Sequence, residues 1–239
     1  MNIFSVKKQS GVSLVELMIS LVIATVILLA VTSIYVTSKR GYAIQDSMAR
    51  QQENGRFAVE LLTQNLRMAG FMKDNRHDPF IAATTADGGG NVSDTITIQF
   101  ESQTDCLGQA TPANSCDGQQ CAINNYFIDA NNNLSCLGNG GPNPDVIIEQ
   151  VDNLQIQYGV DTDASPDGTA NKYATWNNVT VDEREKIVSV RFAVLVSTPT
   201  QTAKAALTTT HNVLDQTLNV TDRRINRVYT STVVLRNRL

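Results

Sequence analysis

From Val12 to Val36 the chain runs 25 residues with one charged side chain, Glu16. At about 1.5 Å per residue a helix of this length reaches roughly 37 Å, enough to cross a hydrocarbon core of about 30 Å. A cleavable secretory signal would have a shorter apolar core, about 7–15 residues, with small residues at a cleavage site beyond it. Here Ala24 and Ala30 sit inside the run. Lys7, Lys8 and the terminal amine favour a cytoplasmic N-terminus, and Lys39 and Arg40 on the far flank weaken that asymmetry.

A carboxylate within a membrane helix costs about 2.5–3.5 kcal/mol on insertion scales, so Glu16 calls for a specific partner. Cleavage after Gly11 would create one, because Val12 would then carry a free ammonium. When such helices pack side by side, the carboxylate of one can pair with the ammonium of its neighbour, and an unpaired Glu16 would penalise packing out of register. The junction Lys7-Lys8-Gln9-Ser10-Gly11-Val12-Ser13-Leu14-Val15-Glu16-Leu17 resembles the N-terminal motif of type IV prepilins. That resemblance implies cleavage between Gly11 and Val12 by a prepilin peptidase, N-methylation of Val12, and a register-setting role for Glu16. The alternative is a plain signal anchor with a tolerated glutamate.

Beyond the apolar run, Ala58, Leu61, Leu62, Leu66 and Ala69 recur at three- and four-residue spacing, the pattern of a helix with one buried face. This is read as the second half of the same long helix. Gly41 and Gly55 should each weaken it by about 1 kcal/mol relative to alanine, and Gly70 suits its C-terminus. The stretch Gln52-Glu53-Asn54-Gly55-Arg56-Phe57-Ala58, ending in Leu66-Arg67-Met68-Ala69-Gly70-Phe71, is similar to the helix of PilW-type minor pilins. So is the C-terminal run from Arg223-Arg224-Ile225-Asn226-Arg227-Val228-Tyr229 to Val234-Leu235-Arg236-Asn237-Arg238, whereas residues 72–145 carry little of the resemblance.

From Phe71 to Leu239 there are 169 residues, within the range of one domain. Thr95–Phe100, Leu154–Val160, Ile187–Val196 and Val228–Leu235 alternate or are rich in β-branched residues, and turn-forming residues bound them. Gly88-Gly89-Gly90, Gly138–Pro142 and Thr198–Thr202 read as loops, and there is no internal repeat. Alternation suits antiparallel sheets with one solvated face, here packed on the amphipathic helix half. The expected fold is therefore α+β and pilin-like. Its parts would be a leader over residues 1–11, a transmembrane half-helix over 12–36, an amphipathic half over 37–70, and a β-rich extracytoplasmic head over 71–239.

Cys106, Cys116, Cys121 and Cys136 fall in one glycine- and asparagine-rich region. An even number of cysteines in an extracytoplasmic segment with few apolar residues points to two disulfides. Zinc fits poorly, since no paired C-x-x-C spacing occurs and His77 and His211 are far away in sequence. Three connectivities are open. The runs Cys116-Asp117-Gly118, Asn125-Tyr126-Phe127-Ile128 and Leu134-Ser135-Cys136 are similar to the cysteine pair of PilW-like heads. That resemblance implies Cys116 with Cys136 and leaves Cys106 with Cys121, each loop being roughly 15–20 residues and worth about 3 kcal/mol.

The full chain has 19 basic and 23 acidic residues; without Lys7 and Lys8 the balance is 17 to 23, a net charge of −6. Generic nucleic-acid affinity is not expected. The group Arg223, Arg224, Arg227, Arg236 and Arg238 is a local exception; strand alternation would disperse several of these over a solvated face, and the alternative reading is contact with an acidic partner or DNA. Asp161, Asp163, Ser165 and Asp167 alternate as calcium ligands do, but an EF-hand needs Gly where Pro166 stands and Glu where Lys172 stands. No metal or other cofactor is expected. His77 beside Asp78 lacks a nucleophile motif, and Gly88-Gly89-Gly90 lacks the Lys-Ser/Thr and helix of a phosphate loop.

The sequence is identified as a PilW-type minor pilin, which implies a role in assembly or priming of a type IV pilus, within its tip complex, in support of motility, adhesion or DNA uptake. Expected partners are other minor and major pilins, the prepilin peptidase and the inner-membrane assembly platform, with no small-molecule substrate. The chain would sit in the inner membrane with a periplasmic head, then in a surface pilus. It would be an enzyme's substrate and no enzyme itself. The alternatives are a type II secretion pseudopilin or, from a different class, a signal-anchored periplasmic enzyme or binding protein.

Overall fold

A computed structural model describes residues 11–73 and 77–238, with Arg238 described only as backbone. Lys7 and Lys8 of the expected leader lie outside the described residues. The chain divides into two units, Met1–Asp46 and Ser47–Leu239, and one helix, α1 (Leu14–Met68, 55 residues), runs through both.

In the first unit the side chains of α1 are exposed from Leu14 to Arg40, and the span is long and apolar enough to cross a membrane. Its hydroxyls are satisfied within the helix. Ser20, Thr25, Thr32, Ser33 and Thr37 each donate to a backbone carbonyl three or four residues earlier, at 2.7–2.9 Å. Such back-bonding leaves those hydroxyls no need of water, as an apolar solvent demands.

In the second unit the rest of α1 packs against antiparallel sheet. One sheet has the order β1 (Ile96–Glu101), β2 (Cys121–Ile128), β3 (Leu134–Gly138), β4 (Asp145–Ile148). The other comprises β5 (Val151–Val160), β6 (Lys172–Ala174), β7 (Ile187–Ser197) and β10 (Asn226–Val234), in the order β10-β7-β5-β6. The hairpin of β8 (Leu207–Val213) and β9 (Gln216–Asp222) buries Val213 and Leu218 against Ala193 and Leu195 of β7. Between β6 and β7 a one-turn helix, α2 (Val181–Arg184), starts with a reciprocal capping box between Thr180 and Glu183.

The main core joins Ala58, Leu62, Leu66 and Ala69 to Ile96 and Ile98 of β1, Leu154, Ile156 and Tyr158 of β5, and Val190, Phe192 and Val194 of β7. The four strands expected from alternation are present as β1, β5, β7 and β10, and the expected α+β arrangement of long helix and antiparallel head is what the chain adopts. Strands β2, β3, β4, β6, β8 and β9 go beyond that expectation, β4 and β6 being only four and three residues long. The apolar content of β2, β8 and β9 is diluted by asparagine and threonine, as in Cys121–Ile128 and Leu207–Val213, so periodicity alone gives them little signal.

Candidate functional site

The buried stripe of α1 reads Ser47, Gln51, Gly55, Ala58, Leu62, Leu66, a continuous three- and four-residue spacing. Hydrophobicity marks only its second half, because the first three positions are polar or lack a side chain. They are where the helix is tied to the C-terminal third of the chain. Ser47 Oγ lies 2.8 Å from Thr200 Oγ1. Gln51, 1% exposed, donates through Nε2 to the carbonyls of Val196 at 2.7 Å and Ile225 at 2.5 Å. Both acceptors are backbone groups at the close of β7 and the entry to β10, so one amide fixes the helix against two strands.

At Gly55 a β-carbon would overlap the Tyr229 ring. The helix cost of a glycine here is the condition for close approach of an aromatic side chain, a packing reason that propensity does not contain. At the other end Asn237 Nδ2 donates to the carbonyls of Arg67, Met68 and Ala69 at 3.1–3.3 Å, supplying partners for groups a helix C-terminus leaves open. Gly70, at φ +77°, then turns the chain and donates its N–H to the Gln99 carbonyl of β1 at 2.8 Å. Asn54, between the buried positions, donates to the Glu149 carbonyl at 3.0 Å. The two stretches similar to PilW-type pilins, far apart in sequence, thus meet along one seam.

The four cysteines form two bridges, and their pairing differs from the expected one. Cys106 joins Cys136, and Cys116 joins Cys121. Sheet register decides this. Cys136 on β3 stands opposite Tyr126 in the middle of β2, and the Cys106 N–H is held by Asn124 Oδ1 at 3.0 Å, which brings Cys106 to Cys136. Cys121 starts β2, and a tight turn bridging Cys116 to Gln119, with Asp117 and Gly118 at positive φ, folds Cys116 back onto it. The loops are unequal, with sequence separations of 30 and 5.

Of the other candidates, Asp161 is buried at the end of β5, and its carboxylate accepts the N–H groups of Asp163, Asp167 and Gly168 at 2.9–3.1 Å. These hydrogen bonds, that from Gly168 first, lower its pKa. Carboxylate oxygens of Asp161, Asp163 and Asp167 lie within 4.8 Å of one another, yet both Asp161 oxygens already serve the loop's own backbone. His77 is half-buried, its side chain 13% exposed, with Nδ1 3.4 Å from the Asp117 carboxylate in the disulfide turn, while Asp78 beside it is exposed. His211 lies on β8, its ring 2.9 Å from Thr209 Oγ1.

The arginines divide. Arg224 is half-buried between Asp222 and Asp152 and also donates to Gln150, whereas Arg223, Arg227 and Arg236 are exposed. One buried acid carries no sequence signal at all. Asp94, 3% exposed, accepts the N–H groups of Gly88 at 2.9 Å and Ile156 at 2.7 Å. Burial, with Asp87 and Asp215 nearby, outweighs these hydrogen bonds and pushes its pKa up to about 7.

At the N-terminal end Glu16 lies in the first turn of α1, where an acid favours the helix dipole, and the Ser13 carbonyl accepts the Leu17 N–H at 3.1 Å. Gly11, Val12 and Glu16 are all exposed, and a β-carbon at Gly11 would meet nothing within 4 Å.

Residues 125–237 match the family described as Type IV Pilus-assembly protein W, and residues 6–32 match the Prokaryotic N-terminal methylation motif. Among solved structures, a type IV-like pilin from Thermus thermophilus is similar at 11% identity and a TM-score of 0.45, covering 78% of this chain and 95% of that one. No curated protein matches the sequence. The chain is thus similar to the type IV pilus-assembly protein W family over residues 125–237 and carries the methylation motif at its N-terminus, and the helix is seamed to the strands that the family match covers.

Proposed function

We propose that the chain is a minor pilin made as a prepilin, cut after Gly11, N-methylated at Val12 and built into the priming or tip complex of a type IV pilus. On this reading it is a structural component, the substrate of a processing enzyme and no enzyme itself, as the likeness of residues 125–237 to pilus-assembly proteins supports. The observation that carries the reading is the N-terminal junction: the methylation motif over residues 6–32 takes in the start of an exposed apolar helix with a single acid, Glu16, in its first turn. The described chain would accept a larger side chain at Gly11, where a β-carbon meets nothing within 4 Å, so on this reading the glycine serves the processing enzyme rather than the fold.

On this reading residues 1–11 are the leader, 12–36 the transmembrane half-helix, 37–70 its amphipathic half and 71–239 the head. The protein waits in the inner membrane with its head in the periplasm and then passes to the pilus. Lys7 and Lys8 hold the leader on the cytoplasmic side. Assembly extracts the apolar half-helix into a bundle of like helices, where the Glu16 carboxylate meets the Val12 ammonium of a neighbouring pilin. The assembly platform, the peptidase and the other minor and major pilins are the partners. N-terminal sequencing of the membrane-derived protein tests the proposal: a chain starting with methylated Val12 is expected. A persistent Met1 form in a strain with active prepilin peptidase overturns it.

A further inference from the structure

Strand β10 ends its sheet, and among the described residues no strand pairs with its outer edge, although β8 comes close to it. Ile225 pairs its carbonyl with Thr198 and Leu235 donates to Val188, so odd-numbered residues between them bond inward to β7. The backbone groups of Asn226, Val228, Thr230, Thr232 and Val234 therefore point outward. Among the described residues, no backbone hydrogen bond takes them up. The register with β7 is unbroken over nine residues, so the edge carries no bulge, and it has neither proline nor lysine. Long edges are ordinarily blunted by such devices, because an unpaired edge templates another strand.

Beside the edge runs a groove between β10 and α1, lined by Arg56, Glu60 and Arg67 of the helix and by Tyr229, Thr230 and Ser231 of the strand. The Tyr229 hydroxyl is buried there with no hydrogen-bond partner. Arg227 and Arg236, at the two ends of β10, are exposed, as are Arg56 and Arg67. In a chain of net charge −4 this rim is locally basic. A second copy pairing antiparallel through the same edge would set Arg227 of one chain against the end of β10 bearing Arg236 in the other, a like-charge contact.

We propose that the β10 edge is a docking site for an extended, acid-rich segment of a different polypeptide, which adds as a fifth strand while its acidic side chains face Arg56, Arg67, Arg227 and Arg236. Backbone pairing would supply affinity and the arginine rim selectivity. The inference does not depend on the pilus reading.

The test uses the full-length chain in its own host, with Thr232 replaced by a photoreactive benzoylphenylalanine and the cross-linked peptide sequenced by mass spectrometry. The expected adduct is to an acid-rich stretch of another protein. Thr230→Pro, which removes an outward N–H and no bond to β7, should abolish it, and Thr230→Ala should retain it. The double variant Arg56→Glu, Arg67→Glu should reduce the yield at least fivefold and provides the check if the proline variant does not fold. Absence of an adduct, an adduct to lipid or to a second copy, or an adduct to a segment without acidic residues overturns the proposal. So does an adduct indifferent to both the proline and the charge-reversal variants.

Discussion

The Tyr229 ring occupies the space that a side chain at Gly55 would fill, so the helix and the C-terminal strand meet at a position where only glycine fits. A helix in isolation would gain about 1 kcal/mol from Gly55→Ala, while forcing an extra carbon into a packed contact costs about 1–3 kcal/mol. Gly55→Ala should therefore be net destabilising by about 1 kcal/mol in chemical denaturation. Combined with Tyr229→Ala, it should cost less than the two separate effects added together. Gly41, where a β-carbon meets nothing, provides the contrast: Gly41→Ala should raise helix content. Equal behaviour of the two glycines would refute the contact's energetic role.

The two disulfides should differ in value. In the chain-entropy treatment a 30-residue loop is worth about 3.6 kcal/mol and a 5-residue loop about 2 kcal/mol, so Cys136→Ser with Cys106→Ser should lower stability more than Cys116→Ser with Cys121→Ser. Non-reducing peptide mapping should recover Cys106 linked to Cys136. Recovery of Cys116 linked to Cys136 would return the pairing to the one the family resemblance implies.

Asp94 gives a pH dependence of definite sign. Its folded pKa, about 7, lies above the ordinary value of 3.8, so the native state holds the proton more tightly. Its contribution is fully present below about pH 3.8 and is lost as pH rises to about 7, at up to about 1.4 kcal/mol per pH unit within that window. Asp94→Asn should flatten this part of the stability profile. Asp129 and Glu183 act oppositely: their pKa values are lowered, so what they contribute is present above the ordinary carboxylate range and disappears on acidification. A thermal-denaturation profile identical for wild type and Asp94→Asn between pH 4 and pH 7 would contradict the assignment.

Calcium should not bind at Asp161 with micromolar affinity, since both its carboxylate oxygens already accept backbone N–H groups. Asp161→Ala should lower the melting temperature in the absence of any metal, because three N–H groups lose their acceptor. Calorimetry showing a micromolar site abolished by Asp161→Ala would assign the loop to metal binding instead.

Glu16→Ala should separate anchoring from assembly. Insertion depends on the apolar run, and removal of the carboxylate lowers its cost, so the variant should be membrane-inserted and processed. It should be recovered poorly in sheared pilus fractions, since a buried Val12 ammonium of a neighbouring pilin left unpaired costs about 3–5 kcal/mol. Full piliation of a deletion strain by Glu16→Ala at native expression would remove the register role.

The apolar run from Val12 to Val36, the stripe Ala58, Leu62, Leu66 and the strands β1, β5, β7 and β10 were legible because each is a local pattern. Solvent exposure and secondary-structure period are written into neighbouring residues, and no distant contact is needed to read them. Disulfide pairing was not legible, since it depends on which strands stand side by side: Cys136 reaches Cys106 only because β3 lies against β2 in one register. The same holds for Gln51, Gly55 and Asn237, whose partners are backbone carbonyls or an aromatic ring more than a hundred residues away. A hydrogen bond to a carbonyl leaves no mark on the identity of the residue that owns the carbonyl. Local residue pattern is enough to specify one long helix, apolar and then amphipathic, and a β-rich head; where the head grips the helix emerges only on folding, because that grip is made by polar and small residues whose meaning is set by what packs against them.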